Sequence, residues 1–274
     1  MYEYPLLPYE LVDLDLQRDV ETKSLVTTKV KRGKPVSNFS RRQKILNQKQ
    51  KPACVGVSVK LLADEYFKKS MSAMWIYNKA KYFDDFPDEA YAGTSINGAC
   101  QMLKVRGVCE EYLFPYTQDT ENEGAEENSK LYKIGGHFCV DKEMKEIKAA
   151  VLQKTLCTPI KVHSYFYTVP KDGIIDKDEY LVTEKRGSHA VAVTGWKTIN
   201  GVEHIEIQNS WGTSWGDDGV CYMPFDLFRT ISGRVYYIHV PGGGEKKSIV
   251  QKIIEILNLP FTLLGKLLKK MRNL

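Results

Sequence analysis

The chain is predicted to adopt an α+β fold, on three observations. Helical spacing dominates its first half, strand-like runs dominate its second, and the two patterns hardly interleave. At 274 residues there is enough chain for one large core or two modest ones. Composition is that of a globular protein, 43% hydrophobic and 27% charged.

Residues 1–46 combine Pro5 and Pro8, a strand-like run from Val26 to Val30 and a basic stretch from Lys29 to Arg42. They read as an extended N-terminal arm lying on a domain. From Cys54 to about Ala80 apolar and aromatic side chains are dense. Val55-Gly56-Val57-Ser58-Val59 alternates as a strand would, while Leu61, Leu62, Ala63 and Tyr66 continue with helical spacing, so local pattern leaves both structures open. Ser95 to Val105 reads as a helix with Ile96, Ala99, Cys100 and Leu103 on one face, closed by Gly107. Residues 117–130 read as an acidic, solvated loop, and Met144 to Leu156 as an amphipathic helix. Strand-like runs follow at Pro159–Val162, Ala190–Thr194, His204–Ile207 and Val235–Val240, with Asn200-Gly201 marking a hairpin turn. Pro241-Gly242-Gly243-Gly244 then forms a hinge, and Ser248 with Gln251 caps a basic amphipathic stretch over residues 248–274.

Charge excludes one function class. Residues 245–274 hold seven basic and two acidic residues, which accounts for the whole net charge of +5. A neutral body with a basic tail is not a nucleic-acid-binding domain. Instead the tail suits a peripheral membrane surface, a protein partner or docking on the body. The six cysteines contain no CxxC and no His/Cys cluster at metal spacing, so neither a metal nor a cofactor is expected. The acidic, non-apolar start reads as no signal peptide, and no apolar run is long enough to span a bilayer. A reducing setting with free thiols is the simpler expectation.

The most informative stretch is Gln208-Asn209-Ser210-Trp211-Gly212-Thr213-Ser214-Trp215-Gly216, with His189 upstream at the start of the run Ala190–Val193, which would hold the imidazole at a strand edge. Two tryptophans on a Gly-rich turn make an aromatic wall, against which an Asn amide is shielded from water. The matching nucleophile is Cys54, which follows Gln48 by six residues and precedes His189 by 135. Gln50 is a second candidate amide, but the Asn47-Gln48 pair fits better. Taken together, the set resembles papain-like cysteine peptidases of the compact bacterial and viral type, over about residues 40–240. Gly93-Thr94-Ser95, Gly107 to Tyr112 and Pro115-Tyr116 add to the likeness. Lys51-Pro52 stands where that family has Cys-Gly, and Val55 where an aromatic is usual.

The resemblance implies a two-subdomain fold, with a helical left domain over 47–135, a β-barrel-like right domain over 136–240 and the cleft between them. The arm would occupy 1–46, and the hinge and tail 241–274. It also favours a helix starting at Cys54. The implied activity is a cysteine endopeptidase acting on polypeptides through a Cys54 thiolate/His189 imidazolium pair and an acyl-enzyme. Asn209 would orient His189, and Gln48 with the Cys54 N–H would bind the oxyanion. Gly93, Ser188, Ala190 and Trp211 would contact substrate or shield the site. The other five cysteines, and His137, His163, His204 and His239, read as structural or surface residues. Members generally begin with a helical pro-region that blocks the cleft; the 46 residues before the catalytic segment read as too few for its long version, and, as in small members without a pro-region, a cytoplasmic or virion setting is expected. The departures at Val55 and Lys51-Pro52 motivate a second reading, a catalytically silent papain-fold structural or interaction protein.

Overall fold

A computed structural model describes residues 6, 37–84 and 92–239. Most of the arm and all of the tail, including the Val26–Val30 run and the basic amphipathic stretch, lie outside the described residues. The helical part comes first: α1 (Cys54–Phe67), α2 (Ala73–Ala80) and α3 (Ile96–Val105). The ambiguous run after Cys54 is helical. Residues 54–63 are all buried, so α1 has no polar face along its first turns and no amphipathic signature to read. It lies so close to α2 that a Cβ on Gly56 would sit 2.5 Å from the Ala73 carbonyl oxygen. Lys60 is buried in α1 at 5% exposure, with its Nζ donating to the Met71 carbonyl at 2.6 Å and 2.8 Å from Asp64. Ser95 caps α3 by accepting the Gly98 N–H, and Gly107 follows the helix at φ 84°.

Two helical expectations need correction. Residues 117–124 are exposed, but Ala125–Ser129 form a short helix, α4, because Ala125 and Ser129 turn inward and are buried. The helix expected over 144–156 is shorter. α5 is Met144–Val151, and Leu156 already starts a strand in which its side chain is buried. The helix α6 (Lys177–Val182), the strand β6 (Val220–Pro224) and α7 (Phe225–Ile231) had no counterpart among the expected elements.

The second half is one antiparallel sheet. β2 (Gly136–Val140), β3 (Leu156–His163), β4 (Lys185–Ile199), β5 (Val202–Gln208), β6 and β7 (Val235–His239) run in the order β2-β7-β3-β4-β5-β6. A further strand, β1 (Asn38–Ser40), pairs with β4. Asn200 and Gly201, both at positive φ, close the β4–β5 hairpin. β4 is the axis of the sheet: it pairs with β3 over residues 185–193 and with β5 over residues 192–199. His189 therefore sits inside a central strand opposite Ile160, not at a strand edge as expected.

Residues 37–48 form a strap across both parts. Arg42 Nε donates to the buried carboxylate of Glu206 at 3.0 Å, which also accepts from Ser40 and Thr194. Arg41 pairs with Glu65 on α1, and Gln43 Nε2 donates to the Leu61 carbonyl at 2.9 Å. Leu6 packs against the core of the sheet.

Candidate active site

Cys54 is the first residue of α1, and Ala53 before it offers no capping side chain. The unpaired N–H groups of the first turn thus face out of the helix end with their partial positive charge. Burial pushes the Cys54 thiol up, while backbone hydrogen bonding from Ala190, Val55 and Cys54 itself pulls it back. Ala190 directly follows His189, so the thiol lies against the strand that carries the imidazole. Ser58 Oγ donates to the Ala190 carbonyl at 2.9 Å and tightens the same junction.

On β4, His189 is 1% exposed, with Nε2 2.8 Å from Asn209 Oδ1. That oxygen also accepts the Ser210 backbone N–H at 2.8 Å, which identifies it as the acceptor end of the amide. Nε2 therefore carries the ring proton and Nδ1 the lone pair. Nδ1 is buried and has no hydrogen-bond partner among the described residues. Burial lowers His189 to about 4, against the effect of the Asn209 bond. Burial thus opposes each ion taken singly; a thiolate and an imidazolium formed together are net neutral and escape most of that penalty.

The wall behind the imidazole is aromatic. The Trp211 ring is 4.9 Å from His189, Tyr167 stacks on Trp211 at 5.2 Å, and Phe166 and Trp215 meet it edge-on. Gly212, at φ 80°, turns the chain where a Cβ would sit 2.9 Å from Asn47 Nδ2.

Gln48 is fully buried, and its polar groups can be accounted for one by one. The N–H donates to the Ser210 carbonyl at 2.8 Å, and Oε1 accepts Ser210 Oγ–H at 2.5 Å. Nε2 donates to the Lys51 carbonyl at 3.1 Å. An amide nitrogen has two hydrogens, so one donor is left over among the described residues. Ser188 is buried one residue before His189, opposite Lys161. Gly93 is buried ahead of α3, with Thr94 donating to Asp84 at 2.7 Å, and has no hydrogen bond to the other site residues among the described residues.

All six cysteines are buried thiols. His137, His163 and His204 make hydrogen bonds to Asn97, Thr183 and Val202. Among the described residues no group of three or more His, Cys, Asp or Glu is placed to hold a metal ion. Sequence reasoning assigned no role to Ser210, although it lies inside the Asn209–Trp211 block. It also missed the backbone of Ala190, which only the fold brings to the thiol.

A model of the papain family cysteine proteases matches residues 37–230. Cysteine proteinase 2 of Entamoeba histolytica is 31% identical over 123 residues, covering 43% of this chain and 37% of its own length. A cysteine protease of Blomia tropicalis is 27% identical over 139 residues, covering 48% and 40%. The chain thus spans about two-fifths of the length of these relatives. Among solved structures, xylellain, a cysteine protease from Xylella fastidiosa, superimposes with a TM-score of 0.70 at 19% identity, covering 86% of this chain and 96% of that one.

Proposed function

From the premise that the chain belongs to the papain family of cysteine proteases, we propose that it is an endopeptidase that cleaves polypeptides through an acyl-enzyme on Cys54. The observation that carries this reading is the state of His189: Asn209 takes one ring nitrogen, and the other is buried without a partner beside the strand residue that touches the thiol. In this mechanism Nδ1 accepts the thiol proton and the sulfur attacks the peptide carbonyl. The oxyanion takes the remaining Gln48 amide hydrogen and the Cys54 N–H at the start of α1. The imidazolium returns its proton to the leaving amine, and the neutral ring then activates water for deacylation. Asn209 holds the ring orientation, and Trp211 keeps water from the bond between them.

On the substrate side, the Gly93 backbone pairs with an extended chain, and Ser188 and Ala190 border the pocket for the second residue before the cut. Six buried thiols support a reducing setting, cytoplasmic or virion. Among the described residues no helix is long and apolar enough to cross a membrane.

The test is cleavage of an unfolded protein substrate by wild type and Cys54→Ala, with fragments mapped by mass. Internal cuts that fall by roughly 10³-fold or more in the variant are expected. Equal cleavage by both proteins removes the proposal, and no cleavage by either leaves the reading of a silent papain-fold protein.

A further inference from the structure

We infer that Tyr116 is a positioning residue for the Gln48 carboxamide, holding the oxyanion donor in place from the helical half of the molecule. The inference rests on the reading that Gln48 supplies that donor.

The contacts around Gln48 divide by origin. Ser210, on the sheet side, takes the Gln48 N–H and donates to its Oε1. Lys51, in the same turn, donates its backbone N–H to the Gln48 carbonyl at 3.1 Å and accepts from Nε2. From the helical half, the Tyr116 hydroxyl donates to the Gln48 carbonyl at 2.9 Å. The turn itself is tight, with Lys49 at φ 51°. A rotation of the peptide plane at Gln48 would swing the side chain and its remaining amide hydrogen away from the site. The Tyr116 bond resists that rotation at the carbonyl.

On the helical side, where Tyr116 stands, the segment has little packing behind it. Leu46 and Asn47, just before Gln48, line a cavity of about 90 Å³ together with Lys60, Ala73, Glu111 and Tyr116. Backbone bonds hold the sheet side of the segment, Gly212 N–H to the Leu46 carbonyl at 3.0 Å and Gln48 N–H to the Ser210 carbonyl at 2.8 Å; on the side of the cavity the Tyr116 hydrogen bond stands where packing is thin. Tyr116 is well held for the task. Its N–H donates to Glu111 Oε1 at 2.9 Å, the second Glu111 oxygen lies 3.9 Å from Lys60 Nζ, and Lys51 Nζ lies 5.6 Å from the ring centre. Burial also pushes the Tyr116 hydroxyl up, so it stays a donor at any working pH.

Three measurements on wild type, Tyr116→Phe and Gln48→Ala test the inference. One is kcat and KM on a peptide amide. Another is inhibition by a peptide aldehyde, whose hemithioacetal with Cys54 places an oxygen where the oxyanion forms. The last is the rate of modification by a methanethiosulfonate reagent, which reports the thiolate and builds no such oxygen. Tyr116→Phe is expected to lower kcat and to weaken the aldehyde by about tenfold each, while KM and the methanethiosulfonate rate stay within about twofold. Gln48→Ala is expected to act in the same direction by about a hundredfold. If Gln48→Ala weakens the aldehyde and Tyr116→Phe does not, the positioning role is overturned. A parallel fall in the methanethiosulfonate rate in Tyr116→Phe overturns it as well, because the damage is then general. An aldehyde insensitive to Gln48→Ala instead removes the oxyanion reading itself.

Discussion

Asn209 decides which nitrogen of His189 carries a proton, and with it the chemistry open to the ring. Because Oδ1 accepts from both Nε2–H and the Ser210 N–H, Nδ1 is left as the basic nitrogen. The same burial has a consequence for stability. His189 and His137 are both lowered to about 4 by burial, from an ordinary value of 6.5. Between those values the unfolded chain binds more protons than the folded one, so the contribution is fully present above about 6.5 and is lost as pH falls through about 4. Each histidine adds a slope of up to about 1.4 kcal/mol per pH unit in that window. Urea denaturation at a series of pH values is expected to give a shallower acid slope for His137→Gln than for wild type; an identical slope removes His137 from the account. Cys54, His189, Asn209 and Gln48 could be picked out of the sequence because their side-chain chemistry is rare in that arrangement. Ser210 and Tyr116 could not, since a hydroxyl is common and its partner lies far off in the chain, 162 residues away for Ser210.

At the scale of elements, α1 carries Cys54 at its start, and its place is set by the close approach to α2. A Cβ on Gly56 would meet the Ala73 oxygen at 2.5 Å and Tyr77 Cβ at 2.9 Å, so Gly56→Ala has to push two helix backbones apart. A loss of about 1–3 kcal/mol is expected by chemical denaturation, accompanied by slower modification of Cys54. A variant as stable as wild type would mean that the helices separate freely there. The Val55–Val59 run was ambiguous for a related reason. An element buried on every side in its first ten residues has no exposed face for its period to reveal. The sheet strands and the Asn200-Gly201 hairpin were easier, because alternation and turn chemistry are local. α4 was hidden because Ala125 and Ser129, four residues apart, are its only buried residues amid acidic and polar neighbours.

Over the whole molecule, the strap of residues 37–48 ties the helices to the sheet and ends on Gln48. Its main anchor on the sheet is Arg42 on Glu206, a carboxylate only 2% exposed. Removing that cation leaves Glu206 with two hydroxyl donors and, among the described residues, no other salt-bridge partner. Arg42→Ala is therefore expected to cost about 2–3 kcal/mol by urea denaturation. A change within about 0.5 kcal/mol would show that the pair holds nothing together. Read as an arm, these residues carried no sign of that role, since the partners Glu65, Glu206 and Asp217 lie elsewhere in the chain. What the sequence determined alone was the α+β class, most of the strands, the family likeness and the residue types able to do the chemistry, all of which depend on short-range pattern or on a distinctive motif. What only the tertiary structure decided was which His189 nitrogen is left without a partner, which contacts hold Gln48 and where the strap crosses. Those follow from contacts between separate segments, 20 residues apart for His189 and Asn209, 68 for Tyr116 and Gln48 and 164 for Arg42 and Glu206, and no local period encodes them.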